Sequence, residues 1–318
     1  PRLYVASPAL NGQNVKTPED GARLVREYKA AGYDLLKIHE GLSQEAYEKI
    51  IVTAFENGMK YAGHVPDSVS VYGALKARQM TIEHLDNYLV ALEADDSPIR
   101  KADPQRRARQ LPFHMDEKKI PALVRAIRKT GTWSVPTMVL YQNVFSSETG
   151  EALAARPEMK YTHPQVLNNW IKARNNQLKN NDPAAGRRIL ELRNKMLKAL
   201  FDAGAKIMLG SDAPQFFNVP GFSVHREMKA MVDAGLTPFQ VLECATRKVA
   251  IHLNKLNYFG TVEEGKTSDL ILLEANPLKD ISNTSRIAGV MIGDRWLPKS
   301  ELRKMLDEIA AMYQNAKS

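Results

Sequence analysis

Apolar stretches of strand length alternate with stretches of helix length along most of this 318-residue chain. Several of the intervening segments carry clear helix boundaries: one opens at Thr17 and stops at Gly32, and the next opens at Ser43 and stops at Gly58. Six strands are predicted at residues 3–6, 33–39, 61–66, 80–85, 133–141 and 206–209. Strands joined through helices form right-handed βαβ units, so the chain is predicted to be an α/β protein with a parallel sheet.

Two long segments interrupt this alternation. Residues 97–113 are polar and contain prolines, which predicts an irregular excursion, and residues 146–203 are polar and helix-forming, which predicts a helical lid or rim. After Gly260 the pattern changes to a strand, a hairpin around Gly293 and Asp294, and a closing helix.

Composition limits the class of protein. The chain is 44% hydrophobic and 25% charged, and nowhere approaches the roughly 18 consecutive apolar residues of a membrane span, so we expect a soluble protein with no membrane partner. Its net charge of +8 is spread among acidic residues, which argues against a nucleic-acid partner. The single cysteine, Cys244, excludes an internal disulfide and lies in a predicted helix. The chain begins at Pro1, directly before a predicted strand, so we expect upstream sequence, and a cytoplasmic or periplasmic location stays open.

Residues that can bind a cation follow or end four of the predicted strands: Lys37, His64, His84 and Asp212. Carboxyl ends of parallel strands meet at one edge of a sheet, so these side chains are expected to lie close together. Taken singly, each has an ordinary structural interpretation, such as a helix cap for Asp212 or an ion pair for Lys37. A buried lysine with a lowered pKa can also add carbon dioxide and become an oxygen ligand for metals.

The segments YDLLKIH, YAGHVP, TIEHLD and MLGSDAP, in this order and spacing, resemble the amidohydrolase superfamily, in particular its imidazolonepropionase-like and prolidase-like branch. The tail, from AGLTPFQVLECATRKVAIHL to GTVEEGKTSDLILLEANPL, is similar as well. The resemblance implies a (β/α)8 TIM barrel, with its third to eighth strands present, and a small C-terminal β-sandwich portion. It predicts a barrel domain over 1–258 that is incomplete at its N-terminus, a sandwich portion over 259–298 and a C-terminal helix over 299–318.

The same resemblance implies the roles of the site residues. Lys37 would be a carboxylated bridging ligand, His64 and His84 the next two metal ligands, and Asp212 both a ligand and the general base. The implied reaction is hydrolysis of a C–N bond, of an amide or peptide type, by a metal-bound hydroxide, with two divalent ions, expected to be zinc. A dipeptide-like substrate is favoured over a cyclic amide.

The sequence departs from this family in one respect: it contains no His-x-His pair of the kind that the first barrel strand carries in the family. The first two strands and the first half of the sandwich are therefore expected to come from an N-terminal segment. Association with that segment, or a homo-oligomer, would also cover the open sheet edges.

Three further residues are candidates for substrate binding. His225 follows the strand predicted at 206–209, Tyr141 ends the strand predicted at 133–141, and His39 lies two residues beyond Lys37 on the same strand face. Exposure to solvent or a purely structural contact is the alternative for each.

Two other functions stay open on the sequence. Lys37 could act as a Schiff-base nucleophile in an aldolase-like lyase. Alternatively, the chain could be a non-catalytic truncated barrel that serves as a subunit.

Overall fold

The computed structural model describes residues 3–315, which form two compact units. The first unit contains residues 3–136 and 199–207, and the second contains residues 137–198 and 208–315. The boundaries predicted at 258/259 and 298/299 remain predictions about domains.

The first unit is built from four strands and five helices. The strands are β1 (Leu35–Ile38), β2 (Lys60–Gly63), β3 (Thr81–Glu83) and β4 (Trp133–Val135). The helices are α1 (Pro18–Ala30), α2 (Gln44–Glu56), α3 (Ser70–Lys76), α4 (Pro104–Gln110) and α5 (Ile120–Thr130). Three short 3₁₀ turns cover Val90–Leu92, Leu111–Phe113 and Glu117–Lys119.

The four strands form one parallel sheet in the order β1-β2-β3-β4, which is also their order in the chain. Each neighbour in the sheet is reached through a helix-containing connection, as the alternation predicted. Isolated parallel bridges extend both edges of the sheet: Ala6 and Leu10 pair with β1, and Ile207 pairs with Ser134 of β4. The carboxyl ends of the strands therefore lie side by side, which is the arrangement that a site at this edge requires.

Local sequence signals fix the helices of this unit. Thr17 caps α1 in a capping box with Asp20, and Ser43 caps α2 through the backbone N–H of Ala46. Gly131 ends α5 in the left-handed conformation, with φ +73°. The helix starts at Thr17 and Ser43 confirm the predictions made from these two residues.

The outermost predicted strands are reduced to bridges. The stretch predicted at 3–6 has only Ala6 in a bridge, and the N–H of Val5 donates to the carboxylate of Asp34 rather than to a strand carbonyl. The stretch predicted at 206–209 pairs only at Ile207, and the N–H of Leu209 donates instead to the carbonyl of Cys244.

The strand predicted at 133–141 is wrong in its second half. β4 stops at Val135, and Thr137 takes a left-handed backbone, φ +45°, from which a helix begins at Met138. Pro136 cannot donate a ladder hydrogen bond, which is the physical reason for the stop. Tyr141 consequently lies on a helix and not at a strand end.

The second unit is mostly helical and ends in a small sheet. Its helices are α6 (Met138–Phe145), α7 (Gly150–Ala154), α8 (Pro164–Asn180), α9 (Pro183–Asp202), α10 (Ser223–Asp233), α11 (Pro238–Ala245), α12 (Arg247–His252) and α13 (Lys299–Asn315), of which α9 runs on into the residues of the first unit. Its strands are β5 (Leu270–Leu273), β6 (Ile287–Ile292) and β7 (Arg295–Pro298), and 3₁₀ turns cover Pro157–Tyr161 and Ile281–Ser285.

Buried contacts order the polar segment 146–203 within this unit. Arg174 of α8 is fully buried, and its guanidinium donates to the carbonyls of Val144, Ser146 and Glu148. An apolar cluster made of Leu153, Met159, Phe217 and Val219 packs this segment against the loop that follows residue 212. The prediction of a helical segment here is confirmed, while its role as a lid or rim remains a prediction.

The small sheet is antiparallel, with the order β5-β6-β7, and the hairpin predicted at Gly293 joins β6 to β7. β5 is an edge strand whose successive residues Leu270, Ile271 and Leu272 are 40%, 59% and 56% exposed. Adjacent strand residues point to opposite faces, so both faces of β5 are uncovered within the described residues. The fold is thus α/β, with one parallel and one small antiparallel sheet, and no helix within residues 3–315 combines the length and apolarity of a membrane span.

Candidate functional site

The carboxyl end of β2 brings His64 against β1. Gly63, the preceding residue, has φ +119°, and a Cβ placed on it would lie 2.4 Å from the carbonyl oxygen of Ile38 and 3.0 Å from Cδ of Lys37. Only glycine permits this approach. The sequence YAGH therefore places His64 at the strand end, close to the Lys37 side chain of the neighbouring strand.

A fully buried glutamine fixes the same strand end. Nε2 of Gln79 donates to the carbonyls of Gly63, His64 and Thr81 at 3.0–3.1 Å, and its Oε1 accepts a hydrogen bond from the Tyr47 hydroxyl at 3.0 Å. A buried amide with these partners holds the backbone in one position, since losing them would leave polar groups unsatisfied. Gln79 thus supports the position of His64.

Three imidazole rings lie in a row at the carboxyl edge of the sheet. The ring centroid of His64 is 4.2 Å from that of His39 and 4.6 Å from that of His84. His84 is only 3% exposed, and its positive φ of +62° turns the chain immediately after β3. Three of the predicted site residues are therefore brought together in the first unit.

Two carboxylates complete this group. Oδ2 of Asp86 lies 2.6 Å from Nδ1 of His64, and Glu40, Asp86 and His64 each offer a ligand atom within 4.8 Å of the other two. Zinc bonds to nitrogen and oxygen are about 2.0–2.2 Å long, so two ligand atoms of one ion lie at most about 4.4 Å apart. The group can hold a divalent cation after small side-chain adjustments, with Asp86 either as a ligand or as the hydrogen-bond partner that orients His64.

The electrostatics of Glu40 favour a cation at this place. Burial, followed by the negative charges of Asp67 and Asp86, raises the pKa of Glu40 to about 7. His39 accepts the backbone N–H of Glu40 at Nδ1, 2.8 Å away, so a neutral His39 carries its proton on Nε2. Burial, with smaller contributions from His64 and Lys37, lowers the pKa of His39, which keeps a neutral imidazole beside the carboxylates.

Lys37 donates to a partner that the sequence reasoning did not identify. Its Nζ forms a short hydrogen bond and ion pair with Oε2 of Glu83, the residue before His84, and both side chains are 23% exposed. The uncarboxylated Lys37 therefore has an acidic partner at the strand end, which matches the ion pair given above as its ordinary structural interpretation. A carbamate on Nζ would have to break this pair.

The remaining predicted residues belong to the second unit. Asp212 follows the stretch that pairs at Ile207 and has a left-handed backbone, φ +55°. His225 lies in α10, with its Nδ1 3.0 Å from Oγ1 of Thr284. The Thr284 hydroxyl donates to the carbonyl of Ile281, so it accepts from His225, whose neutral form has its proton on Nδ1. Burial lowers the pKa of His225.

Tyr141 is held by aromatic contacts. Its ring stacks on Phe145 with centroids 5.9 Å apart, and the guanidinium of Arg193 lies over it at 3.6 Å from the centroid. Tyr141 was predicted at a strand end, and its place inside α6 corrects that prediction. Its role in substrate binding remains a prediction.

The sequence reasoning missed Glu40, Glu83 and Asp86. Each lies within three residues of a predicted site residue, in the segments KIHE and EHLD. A systematic inspection of the acids next to those residues would have found them, since carboxylates at the ends of parallel strands face the same edge.

A profile of the Amidohydrolase family matches residues 36–297 of the chain. The chain belongs to the amidohydrolase family. The match includes every predicted site residue, and it confirms the family resemblance stated from the sequence. A comparison of this amidohydrolase with curated proteins found no match.

Solved structures support the amidohydrolase fold. The bottromycin amidohydrolase superposes with a TM-score of 0.73 at 19% identity, over 98% of this chain and 68% of its own. A Xaa-Pro dipeptidase with methionine in its active site has a TM-score of 0.59 at 20% identity, over 89% of this chain and 59% of its own. A prolidase in complex with N-methylphosphonate-L-proline has a TM-score of 0.54 at 18% identity, over 89% and 59%. This amidohydrolase thus spans about three fifths to two thirds of the length of these relatives.

Proposed function

We propose that the protein is a metal-dependent hydrolase of C–N bonds, of the amide or peptide type, with a dipeptide-like substrate. One observation carries the proposal: His64 stands between His39 and His84, with Asp86 at its Nδ1 and Glu40 within reach of the same centre. Imidazoles and carboxylates in one group are the donors that zinc and neighbouring divalent metals bind.

The first metal position of this proposal is held by His64 together with carboxylate oxygens. Because Asp86 engages Nδ1, His64 would bind through Nε2, and Asp86 would then orient the imidazole in the way common to metal-binding histidines. His84 and a carboxylated Lys37 are the further ligands that we propose for a second metal. Zinc is the expected ion at both positions.

A bound divalent cation supplies Lewis acidity and lowers the pKa of a coordinated water. We assign Asp212 as the general base, which accepts a proton from the attacking water and returns it to the leaving amine. The position of this residue in the sequence motif MLGSDAP supports that assignment. The amine leaves as a neutral product once it has received the proton.

The substrate class rests on the neighbouring structures. One of them is a Xaa-Pro dipeptidase, another is a prolidase in complex with N-methylphosphonate-L-proline, and a third is the bottromycin amidohydrolase. We therefore propose a dipeptide-like substrate, with His39, Tyr141 and His225 as contacts to it.

We further propose that the parallel sheet is part of a (β/α)8 barrel and that the chain associates with a second copy or with an N-terminal segment. The edge strand β5 supports such an association, because its apolar residues are exposed on both faces. Light scattering coupled to size exclusion would measure the association, since a second copy doubles the mass of the particle. A monomer at all concentrations would exclude the homo-oligomer.

The proposed activity is tested with the purified 318-residue chain, loaded with zinc, against a panel of dipeptides and N-acyl amino acids. We expect hydrolysis that chelation abolishes and zinc restores. His64→Asn should abolish both metal binding and turnover. Metal content measured by mass spectrometry in the same samples separates loss of metal from loss of folding.

His114→Asn is the matched control, because this partly buried histidine lies in the same unit and outside the group around His64. Turnover that survives chelation and the His64 substitution would refute the proposal. Borohydride trapping of a carbonyl substrate on Lys37 would instead support the Schiff-base alternative, although an ammonium paired with Glu83 has no lone pair for that attack.

A further inference from the structure

A line of buried polar side chains runs through the second unit and ends on the backbone next to Asp212. Nη1 of Arg156 donates to Oδ1 of Asn143 at 2.8 Å, and Nδ2 of Asn143 donates to Oδ1 of Asn218 at 3.0 Å. Nδ2 of Asn218 then donates to the carbonyl of Ser211 at 2.6 Å. Asn143 is 1% exposed and Asn218 is fully buried, so water does not compete for these bonds.

The two ends of this line fix its direction. A guanidinium only donates, so Asn143 must present its oxygen to Arg156 and its amide nitrogen to Asn218. A backbone carbonyl only accepts, so Asn218 must present its nitrogen to Ser211. Both requirements agree, and a flip of either amide would break a bond on each side of it. The chemistry of the partners thus determines the orientation of the two amides.

The accepting carbonyl belongs to the peptide unit that precedes Asp212. The C=O of Ser211 and the N–H of Asp212 lie in one planar peptide group, so a hydrogen bond on that carbonyl fixes the plane from which the Asp212 side chain projects. A second contact holds Ser211 itself: its Oγ lies 2.8 Å from Oγ of Ser223 at the start of α10. Asp212 itself has φ +55°, a conformation that costs a non-glycine residue free energy unless its surroundings hold it.

We propose that Asn218 and Asn143 are positioning residues for Asp212, with Arg156 as the donor that orients them. The inference rests on the proposed function in that it takes Asp212 as the general base. Neither asparagine reaches the substrate in this proposal: they act through the Ser211 carbonyl. A catalytic carboxylate misplaced by about 1 Å can cost about 100-fold in rate, which is the scale on which such positioning matters.

The far end of the line opens into a groove. A cavity of about 600 Å³ lies there, lined by Arg156, Asn143, Phe222, His225 and Arg226 among others. The Arg156 side chain is 16% exposed. Arg156 also lies 3.3 Å from the half-exposed carboxylate of Glu148. Arg156 is thus partly exposed to solvent, whereas Asn143 is 1% exposed and Asn218 is fully buried.

The test compares Asn218→Ala and Asn143→Ala with the wild-type chain, in zinc-loaded protein. We expect kcat for a hydrolysed dipeptide to fall about 10- to 100-fold in each, with KM changed less than about threefold. Because the two residues act in one line, the double variant should lose little more than either single variant. Asn143→Asp can still accept from Arg156, but an ionised carboxylate has no hydrogen to donate to Asn218, so this variant should lose kcat as Asn143→Ala does.

A matched control separates positioning from stability. Arg174→Lys removes buried hydrogen bonds in the same unit without touching Ser211, and it should lower the Tm while leaving kcat at its wild-type value. A wild-type kcat in Asn218→Ala would overturn the inference. The inference would equally fail if an Arg174 variant with the same Tm lost as much kcat as Asn218→Ala.

Crystal structures decide the question independently of turnover. In Asn218→Ala, Asp212 should leave its left-handed backbone conformation, φ +55° in the wild type, or its side chain should be seen in more than one rotamer. A wild-type chain that hydrolyses none of the substrates would defeat the proposed function, and the φ of Asp212 in the variant would then still test the positioning. An unchanged Asp212 in that crystal structure would overturn it.

Discussion

Nδ1 of His64 and Oδ2 of Asp86 lie 2.6 Å apart, on residues separated by 22 positions in the chain. The contact joins the end of β2 to the turn after β3, and it fixes the orientation of the imidazole that stands at the centre of the three-ring row. An imidazole oriented by a carboxylate binds metals more tightly than one left to rotate, because the partner selects the tautomer and raises the basicity of the other nitrogen.

Asp86→Asn is therefore expected to weaken zinc binding about 10- to 100-fold, the usual cost of losing such a carboxylate partner. Competition with a fluorescent chelator measures the affinity. Asp95→Asn serves as the control, since that side chain is 88% exposed and pairs with Lys119. A much larger loss of affinity would identify Asp86 as a direct metal ligand. An unchanged affinity would show that Asp86 neither binds the metal nor orients His64 for it.

The Lys37–Glu83 pair makes carboxylation of Lys37 conditional. An ammonium held by Glu83 cannot add carbon dioxide, and a carbamate beside Glu83 would bring two negative charges together unless cations neutralise them. We expect a mass gain of one carboxyl group on Lys37 only when bicarbonate and a divalent metal are supplied together. Lys37→Arg, which keeps the ion pair, should fold normally and show neither the mass gain nor turnover. A mass gain with bicarbonate alone would contradict this account.

Glu227 predicts a pH dependence of stability. It is fully buried, and its carboxylate accepts the backbone N–H groups of Met138 and Val139 at 2.8 and 2.7 Å. Burial outweighs these bonds and raises the pKa of Glu227 to about 7. The native state therefore holds this proton more tightly than the unfolded state, and the stability from it is fully present below pH 4.5 and lost as the pH rises to about 7.

The free energy of unfolding should fall by about 3 kcal/mol, because each unit of pKa difference between the native and unfolded states corresponds to about 1.36 kcal/mol. Urea unfolding of the wild type and of Glu227→Gln between pH 4 and about 8 measures it, because the variant has no proton to lose. The wild type should lose stability relative to the variant over this window. Parallel curves for the two proteins would show that Glu227 keeps an ordinary pKa.

Arg174→Lys should destabilise the second unit by about 2 kcal/mol, since an ammonium cannot satisfy the three carbonyls that the guanidinium reaches. The change should appear as a lower Tm and as faster proteolysis between residues 144 and 150. Arg187→Lys, an exposed arginine of α9, is the matched control and should leave both unchanged. Equal Tm values for the two variants would contradict the buried role of Arg174.

Local signals allowed much of the fold to be predicted from the sequence. Thr17 and Ser43 each open the helix that was predicted from them, because a capping side chain acts through a few neighbouring atoms. The strand predicted at 133–141 failed at Pro136, where an apolar run favours a strand and the missing N–H forbids one.

The candidate site was predictable in part. His64, His84 and Lys37 could be grouped from the sequence because each lies at or near the carboxyl end of a predicted strand, and such ends meet at one edge of a parallel sheet. Glu40 and Asp86 lie in turns, where left-handed residues such as Leu85 and Gly41 decide which way a side chain points, and periodicity carries no information about that. The pairing of Lys37 with Glu83 depends on distances across two strands, which the sequence does not encode locally.

The first unit is discontinuous along the chain, since the sheet edge at β4 is completed by residues 199–207, after more than sixty residues of the second unit. During synthesis on the ribosome, the segment up to Pro136 emerges long before the N–H of Ser134 can meet the carbonyl of Lys206. A nascent chain halted before residue 207 therefore exposes an unpaired strand edge at β4, which is open to pairing with another chain until that short return segment has been made.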